Sequence, residues 1–466
     1  MKSNRLKCFA LQMGFTALSA IFSSSNVFGQ TKPNIVFIYA DDWGYEDLSC
    51  HGSTFCKTPN LDKMAEEGMD FQNFSVCNPV CSPSRTAIMT GHFPARHSVH
   101  GHFATVQSHI QRGMPDWLDP NVVMLPRLLK EAGYTTAHYG KWHLTNFDVP
   151  DAPSPLEYGY DDYDVFNVSG RFPQMSADST MIRTINFIEK NKENPFFVSV
   201  WIHAVHVPHY PKEKFLAQFP ELNEQQKVYA AVIAEADFQI GLLFAKLKEL
   251  GIEKKTLVIF SSDNGPENTG TEKNKNLDDN STGPGLGSYY SVGETNGLKG
   301  RKRSLFAGGV REPFIVRWSG VVPSGIVNKT SPIAAVDMLP TFVELAGGTL
   351  PKDYKTDGES IVPAIKGVSF NRKSIIYWQW LFANKNSDFW PSLGIQDGEW
   401  KLLVNKEFNR QELYNINADW AEQENIAAQN PDKVKELEAK LDAWVLTLPK
   451  NPPASCFSSE RKSMKN

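Results

Sequence analysis

"PNIVFIYADD", residues 33–42, carries the strongest fold signal in the chain. Its run of β-branched and aromatic residues predicts a buried strand from Asn34 to Ala40, as in a parallel sheet that is covered on both faces. Asp41 and Asp42 follow the strand directly. Because open α/β sheets bind ligands outside the carboxyl ends of their strands, these two carboxylates stand where a functional site is expected.

Similar strands alternate with amphipathic helices along the next part of the chain. Strands are predicted within "NPFFVSVWIH" (194–203), "KTLVIFSSDNG" (255–265) and "REPFIVRW" (311–318), and helices within "TPNLDKMAEEG" (58–68), "NVVMLPRLLKEAG" (121–133) and "EQQKVYAAVIAEADFQIGLLFAKLKELG" (224–251). The alternation predicts an α/β fold whose large, mainly parallel sheet is sandwiched by helices. The polar, glycine-rich stretch over 265–297 is predicted to be a loop.

The pattern of alternating strands and helices ends at about residue 371. Short runs there predict antiparallel strands, and "PDKVKELEAKLDAWVLTL" (431–448) predicts a closing amphipathic helix. We therefore expect a large domain over residues 30–370 and a smaller C-terminal α+β subdomain over residues 371–466. The tail "SSERKSMKN" (458–466) is expected to be loosely ordered.

Residues 1–29 have the pattern of a cleaved signal peptide. Basic residues at the start precede the apolar core "CFALQMGFTALSAIF" (8–22), and small residues follow it. The pattern predicts an exported protein, either periplasmic or secreted. The apolar core is too short to span a bilayer, and no later stretch approaches ~18 uninterrupted apolar residues, so no membrane span is expected.

Composition argues against one class of partner and leaves the cysteine chemistry open. The chain of 466 residues carries a net charge of −4 and has no basic stripe, which argues against nucleic-acid binding.

Six cysteines in a chain of this length do not make a disulfide framework. A local bridge between Cys50 and Cys56 and free buried thiols are both compatible with the spacing.

A second pair of oxygen ligands repeats the arrangement at residues 41–42. Asp263 and Asn264 follow the predicted strand "TLVIFSS" directly. Three carboxylates and one amide are hard oxygen donors, which suit Ca²⁺ or Mg²⁺ rather than zinc. Both motifs are also common turn sequences. Their shared position at strand ends favours a metal site.

The stretch "VCSPSR", residues 80–85, combines a helix start with reactive side chains. Ser82 is a natural N-cap, Pro83 suits the first helical position, and Gly91 suits the helix end. Cys81 would then stand just before a helix N-terminus, where backbone N–H groups favour an anion. Arg85, one turn later, is a fork-shaped partner for tetrahedral oxyanions. The alternative is a structural cysteine at a helix cap, the commoner role of an isolated cysteine.

Further candidates occur in stretches that also have plain structural interpretations. Lys141 and His143 lie two apart in "GKWH", so in an extended segment they would point the same way. Isolated histidines are mostly structural, so at most two of those in "IHAVHVPHY" are expected to act: His203, His206 and His209. The charge run of "LKGRKRS" would by itself be a solvated face: Lys299, Arg301, Lys302 and Arg303. Another group of histidines has irregular spacing and is predicted to lie mainly in loops: His92, His97, His100 and His102. Of these, His97 is the one expected to contact substrate.

These stretches together resemble a known enzyme family. "PNIVFIYADDWGYEDLSCHGS", "VCSPSRTAIMTGHFPARH", "LLKEAGYTTAHYGKWHL", "SSDNGP", "AGGVREPFIVRW" and "GEWKLL" occur in this order between residues 33 and 403. In them the chain is similar to the type I formylglycine-dependent sulfatases of the alkaline-phosphatase-like superfamily. The most specific element is the C-x-P-x-R motif, here Cys81 to Arg85.

The resemblance implies a modified nucleophile at residue 81. A formylglycine-generating or anaerobic sulfatase-maturing enzyme would oxidise Cys81 to formylglycine (3-oxoalanine), whose hydrate attacks the sulfate. A serine would end as a sulfate monoester that is difficult to break. A gem-diol has a second hydroxyl, and its deprotonation expels sulfate and regenerates the aldehyde, so one hard step becomes two easier ones.

The resemblance also assigns roles to the residues around this nucleophile. Ca²⁺ would be held by the side chain at position 81 and by four oxygen ligands: Asp41, Asp42, Asp263 and Asn264. Arg85 and Lys141 would orient the modified side chain, and His143 would be the base for its second hydroxyl. Lys302 would bind sulfate. The leaving-group acid is a histidine in an H-x-P pattern, which both His206 and His209 fit; His206 is favoured because it lies nearer the strand end.

The resemblance implies an exported sulfatase that cleaves sulfate monoesters on a sulfated carbohydrate. One alternative is a phosphonate monoester or phosphodiester hydrolase of the same superfamily. Another is a non-catalytic relative that binds sulfated sugars, with tryptophans as stacking surfaces: Trp378, Trp380, Trp390 and Trp400. Most of these tryptophans are expected in the core or at the rim. The chain retains every residue of the expected site, which favours catalysis.

Overall fold

An eight-stranded sheet forms the centre of the protein. The computed structural model describes residues 32–146, 148–166, 176–207, 209–267 and 291–464. The predicted signal peptide lies outside these residues, as does the 268–290 part of the predicted loop. The strands of all three sheets in the described residues are, in chain order, β1 Asn34–Ala40, β2 Met69–Phe71, β3 Phe74–Ser75, β4 Thr135–Lys141, β5 Asp162–Phe166, β6 Phe196–Trp201, β7 Thr256–Ser262, β8 Phe314–Arg317, β9 Ile326–Asn328, β10 Ile333–Ala334, β11 Ile376–Gln379, β12 Leu393–Asp397, β13 Trp400–Asn405 and β14 Arg410–Asn415.

Helices cover both faces of this sheet. They are α1 Pro59–Glu66, α2 Cys81–Thr90, α3 Val106–Gln111, α4 Leu125–Glu131, α5 Ala177–Asn191, α6 Glu213–Leu216, α7 Glu224–Glu249, α8 Ala307–Val310, α9 Met338–Leu345, α10 Val362–Ile365, α11 Pro431–Val445 and α12 Ser459–Ser463. Apolar residues of α1, α5 and α7 form the core on one face. Those of α2, α4 and α9 belong to the core on the other.

The sheet is mainly parallel, as predicted, with the order β5-β4-β6-β1-β7-β8-β2-β9. The five strands from β5 to β7 pair in parallel. β8 is antiparallel to both of its neighbours. The stretch "REPFIVRW" therefore forms a strand that does not continue the parallel alternation, because strand direction depends on pairing and not on local pattern.

Strand β1 shows why its sequence is apolar without interruption. Its odd-numbered residues Ile35, Phe37 and Tyr39 belong to the core on one face. Val36, Ile38 and Ala40 belong to the core on the other. Alternate side chains of a strand point to opposite faces, so a strand covered on both sides needs apolar residues at every position.

The C-terminal region contains the predicted antiparallel unit. Strands β11 to β14 pair in chain order as a four-stranded antiparallel sheet, against which α11 packs. Trp378, Leu402 and Leu437 from this unit share one apolar core with the α2 side of the large sheet. Residues 32–466 accordingly form a single compact unit. The domain boundary at residue 370 stays a prediction.

Helix α7 is the one described helix that is long and apolar enough to cross a membrane. Most of its apolar window, 72%, is buried inside the protein. Its contacts with α1, α5 and α6 account for its composition, because a helix that is packed on several sides is apolar on several sides.

The structure decides one open alternative and contradicts one expectation. All five described cysteines are free, so of the two alternatives for Cys50 and Cys56 the local bridge is excluded. The described part of the C-terminal tail, residues 458–464, is not loose: it contains α12, and Arg461 is buried. Residues 465–466 lie outside the described residues. Asp116, which is fully buried, accepts hydrogen bonds from the Ser458 backbone N–H and Oγ and lies 3.2 Å from Arg461 Nη1. These contacts of Asp116 join residues that are far apart in sequence, so the local sequence pattern of the tail does not predict them.

Replacing Asp116 should destabilise the protein strongly. Asp116→Ala leaves Arg461 and His109 without their buried partner, a loss on the order of 3–5 kcal/mol. Urea unfolding measures the change. The control is Asp432→Ala at an exposed position of α11, with an expected loss under about 1 kcal/mol. Equal, small losses for the two variants would show that the tail is not anchored by this carboxylate.

Candidate active site

The predicted oxygen ligands meet at one edge of the large sheet. Strands β1 and β7 are parallel neighbours with Ala40 opposite Ser262, so the residues that follow them lie together. The backbone N–H of Asp42 donates to Asp263 Oδ1 at 3.2 Å, and Asn264 Nδ2 donates to Asp42 Oδ1 at 2.8 Å. Asp41 is buried beside them.

Cys81 lies against this cluster, in the first turn of α2. Its Sγ and carboxylate oxygens of Asp41 and Asp263 lie within 4.8 Å of one another. The helix begins two residues earlier than predicted: Val80 is the N-cap, and Ser82 Oγ instead accepts a hydrogen bond from the Phe103 backbone N–H at 3.0 Å. The helix ends at Gly91 with φ +66°, as predicted.

Arg85 joins the helix to the oxygen cluster. Its Nη2 lies 2.6 Å from Asp263 Oδ2 and 3.6 Å from Asp41 Oδ1. The guanidinium carbon is 4.9 Å from the Trp201 ring centroid. The side chain is fully buried, so the charge pairs hold it in one orientation.

Lys141 and His143 both belong to the site, but the backbone between them does not have the predicted extended conformation. Lys141, the last residue of β4, donates from Nζ to Asp41 Oδ2 at 2.5 Å. His143 has φ +52°, so the segment is not extended and the argument from alternation was wrong. His143 Nε2 lies 3.0 Å from the Phe103 carbonyl oxygen, which makes Nε2 the donor and leaves Nδ1 as the basic nitrogen.

The two H-x-P histidines occupy different places. His206 lines the cavity beside Cys81, with Nε2 3.9 Å from Asp42 Oδ2 and Nδ1 2.7 Å from the Val207 carbonyl oxygen. His209 is buried, bonds the Val205 carbonyl through Nε2 at 2.8 Å, and packs on Tyr229. Of the two, His206 is the one that faces the cavity.

Lys302 enters the site from the segment before α8. Its Nζ donates to Asp42 Oδ2 at 2.6 Å. This segment packs closely on the 263–265 turn: a Cβ on Gly265 would lie 2.0 Å from the Gly308 carbonyl oxygen. Lys299 points elsewhere, to Glu412 Oε2 at 2.8 Å.

Burial and charge set the protonation of the site. Burial would raise the pKa of Asp41, but Lys141 and the neighbouring histidines and arginine hold it well below its usual value. Burial, with Asp41 nearby, raises the pKa of Asp263 to about 7 despite Arg85. Burial also raises the pKa of the Cys81 thiol. An unmodified Cys81 is therefore a neutral thiol, a poor nucleophile.

The oxygen cluster fits a hard divalent cation. Asp41 Oδ1 and Asn264 Oδ1 are buried without a hydrogen-bond partner among the described residues. A buried orphaned polar atom costs about 1–3 kcal/mol, and a bound cation would remove that cost. Three carboxylates and an amide oxygen are the donors that Ca²⁺ and Mg²⁺ take.

A second group could hold a softer metal, but its geometry is less suitable. Asp41 also forms a group with His203 and His206, whose ligand atoms lie within 4.8 Å of one another. A set of two histidines and a carboxylate suits zinc. Asp41 Oδ2, which faces His203 Nδ1 at 3.2 Å, already accepts the Lys141 ammonium. That positive charge opposes a cation at the same oxygen.

Comparison with known proteins decides the family. A model of the family described as "Sulfatase" matches residues 33–348. The chain belongs to the sulfatase family. A second model, "N-sulphoglucosamine sulphohydrolase, C-terminal", matches residues 299–450.

Relatives of this sulfatase align over most of their length. The N-acetylgalactosamine-6-sulfatase of Canis lupus familiaris is 32% identical over 391 residues, which cover 74% of this chain and 68% of the relative. The N-acetylgalactosamine-6-O-sulfatase of Bacteroides thetaiotaomicron is 26% identical and covers 88% and 93%. The crystal structure of Ps i-CgsB in complex with k-i-k-neocarrahexaose superposes with a TM-score of 0.76 at 27% identity, covering 93% and 96%. The predicted alkaline-phosphatase-like fold is confirmed, and the activity is that of a sulfuric ester hydrolase.

The sulfatase has a cavity of about 540 Å³ over Cys81. Lining residues that were not singled out from the sequence include Arg112, Glu267, Phe382 and Phe389. His102, which the sequence analysis assigned to a loop, also lines it. His97 was expected near substrate, but it lies elsewhere, with Nε2 3.3 Å from His92 Nδ1. The spacing of the histidines does not show that His102 lines the cavity and His97 does not. The loop that carries His102 is positioned by its contact with α2, where Ser82 Oγ accepts a hydrogen bond from the Phe103 backbone N–H.

The tryptophans of the C-terminal sheet are mostly structural, as expected. Trp378 and Trp390 are completely buried, and Trp378 Nε1 donates to the Val76 carbonyl at 2.7 Å. Trp380 lines the cavity with only 4% exposure. The sulfatase thus places one of the four candidate tryptophans beside its nucleophile pocket, and the other wall aromatics are phenylalanines.

Proposed function

We propose that this protein is an exported sulfatase that hydrolyses sulfate monoesters on a sulfated carbohydrate, using formylglycine made from Cys81 and a bound Ca²⁺. One observation carries the proposal: the side chain at position 81 meets the carboxylates of Asp41 and Asp263 within 4.8 Å, at the floor of a cavity. The names of the curated relatives support a carbohydrate substrate. The cavity volume is in the range of a small-molecule site.

The chain's own residues would hold both the modified side chain and the sulfate. Asp41, Asp42, Asp263 and Asn264 would bind the cation, which when present supplies charge neutralisation and Lewis acidity to sulfate oxygens. The hydrated aldehyde at position 81, once formed, supplies one hydroxyl for attack and a second for release. Lys302, whose pKa Asp42 and Glu267 raise despite burial, keeps its positive charge for the sulfate.

Two histidines would handle protons at the reacting centre. Burial and Lys141 lower the pKa of His143 well below its usual value, so it is neutral and able to accept a proton at Nδ1. Burial and Lys141 also lower the pKa of His206. A substrate sulfate brings negative charge next to His206, which favours its protonated form. His206 Nε2 would then donate to the departing sugar oxygen.

The burial of residue 81 constrains when it is modified. Cys81 is only 3% exposed in the first turn of α2. A separate maturing enzyme would need this segment extended, so the oxidation would precede folding. Export through the predicted signal peptide would follow, and fractionation of cells expressing the full chain tests the periplasmic or secreted location.

Replacing His206 should impair hydrolysis of sugar sulfates selectively. A sugar alkoxide is a poor leaving group and needs a proton, whereas an activated aryl oxide leaves without one. His206→Ala should therefore reduce kcat/KM for a sulfated sugar by ~10²–10⁴-fold and for an aryl sulfate much less. Steady-state rates on the two substrates measure the difference.

His209→Ala is the matched control, because His209 stands in the same H-x-P pattern but is not among the residues that line the cavity. Its two rates should fall together, if at all. Selective loss in His209→Ala, with none in His206→Ala, would transfer the acid role to His209. A faster rate on an aryl phosphonate or phosphodiester than on the aryl sulfate would favour the phosphonate or phosphodiester hydrolase alternative.

A further inference from the structure

The cavity over Cys81 carries more positive charge than a single sulfate needs. Among the described residues, four cationic side chains line it, against one carboxylate: Arg112, Arg301, Lys302, Arg303 and Glu267. Two of the cations are already matched. Lys302 Nζ bonds Asp42 Oδ2, and Arg303 Nη1 lies 2.6 Å from Glu267 Oε2.

The remaining two, Arg112 and Arg301, have no acidic partner in the described part of the chain. Neither lies within ion-pair distance of a described carboxylate, and the Arg301 guanidinium donates to no described residue. Burial lowers the pKa of Arg112, with no carboxylate to oppose the effect. Two such charges in the lining of a ligand cavity, without a carboxylate partner among the described residues, favour the binding of an anion.

Arg112 is held in position for this role. Its Nη1 donates to the His102 carbonyl oxygen at 2.8 Å, and its guanidinium carbon lies 5.3 Å from the Phe382 ring centroid. The contact holds the guanidinium of a residue that lines the cavity and leaves its remaining N–H groups without a described hydrogen-bond acceptor. Burial, Arg112 and Lys302 together lower the pKa of His102 to about 3, which reflects the positive charge around that ring.

The loop between β11 and β12 adds uncharged side chains to the cavity lining. It contributes Trp380, Phe382 and Phe389 with the amides of Asn384 and Asn386. Aromatic and amide side chains suit the faces and hydroxyls of sugar rings, whereas guanidinium groups suit carboxylates and sulfates. The combination of these side chains with the two arginines therefore favours a sugar that carries a further negative charge.

We propose that Arg112 and Arg301 form a second anion subsite, so that the preferred substrate is a sulfated saccharide with another anionic group, a carboxylate or a second sulfate, next to the scissile ester. This inference rests on the proposed function. The subsite would act on substrate affinity and not on the bond-breaking step, because neither arginine belongs to the cluster around residue 81.

The test compares three oligosaccharides that share one scissile sulfate ester. The first is otherwise neutral, the second carries a hexuronic acid in the neighbouring position, and the third carries a second sulfate ester. The modified full chain should hydrolyse at least one charged oligosaccharide with kcat/KM about tenfold or more above the neutral one, mainly through KM. Which charged substrate is preferred distinguishes a carboxylate from a sulfate.

Arg301→Gln should reduce this preference by about tenfold. Arg112→Gln should do the same, and if it perturbs the His102 loop, Arg301→Gln still decides, because its guanidinium makes no described hydrogen bond. Arg183→Gln is the control: this exposed arginine pairs with Asp164 outside the cavity, and the preference should persist.

Equal rates on all three oligosaccharides, or a preference that survives Arg301→Gln, would overturn the subsite. An aryl sulfate is run in parallel. Hydrolysis of the aryl sulfate without any preference among saccharides rejects only the second subsite. Absence of sulfate release from every substrate by modified protein rejects the proposed function, and the subsite with it.

Discussion

Cys81→Ala should abolish sulfate release, with a loss in kcat on the order of 10⁴-fold or more. The reason is geometric as well as chemical. The Sγ of residue 81 lies within 4.8 Å of carboxylate oxygens of both Asp41 and Asp263, and alanine has no atom that can attack. Single-turnover and steady-state sulfate release measure the loss. Because alanine is small and helix-favouring, α2 should retain its structure.

Cys77→Ala is the matched control for this substitution. Cys77 is another buried free cysteine, four residues upstream, and burial raises the pKa of its thiol to about 12. It does not line the cavity. We expect a modest loss of stability of about 1 kcal/mol and near-normal kcat. Substantial turnover by Cys81→Ala would show that the nucleophile is elsewhere.

Asp263→Asn should remove both most of the activity and the response to calcium. Asp263 supplies a carboxylate to the oxygen cluster and pairs with Arg85 at 2.6 Å, so the neutral amide weakens the cation site and releases the arginine. A ligand that binds only the folded state at 100 times its Kd stabilises it by about 2.7 kcal/mol. Chelation should therefore lower the Tm of the parent protein, and added Ca²⁺ should restore it. In Asp263→Asn this Ca²⁺-dependent shift should be absent.

The control is another buried aspartate. Asp237 accepts hydrogen bonds from the Asn60 and Leu61 backbone N–H groups at the start of α1, outside the cluster. Asp237→Asn should lower the starting Tm but keep the calcium shift. A parent protein whose Tm and activity ignore chelators, or one that recovers with Zn²⁺ and not Ca²⁺, would contradict the assignment of the oxygen cluster as the cation site.

The sequence predicted the parts of the fold that local pattern determines. Strand β1 has the predicted bounds of Asn34 and Ala40, because a doubly covered strand has an unmistakable composition. The direction of β8 was missed, since the residues of a strand do not encode which neighbours it pairs with. The order of the C-terminal tail was also missed, because it depends on Asp116 more than three hundred residues away in sequence.

The same division applies to the candidate site. Strand ends and the C-x-P-x-R motif pointed to the residues that the structure brings together around Cys81. The backbone path was less predictable: His143 reaches the cavity through φ +52°, which no alternation rule anticipates. Arg112 and His102 are placed by loop packing, and their sequence surroundings carry no distinguishing pattern. The charge imbalance of the cavity could be found only from the structure.

The most direct test of the central claim is peptide mass spectrometry of residue 81 in active protein, with sulfate release measured on the same preparations. Co-expression with and without a maturing enzyme would vary the modified fraction. The account predicts an aldehyde or its hydrate at position 81, and kcat per molecule that rises in proportion to that fraction. Full activity from protein in which residue 81 is entirely unmodified cysteine would contradict it.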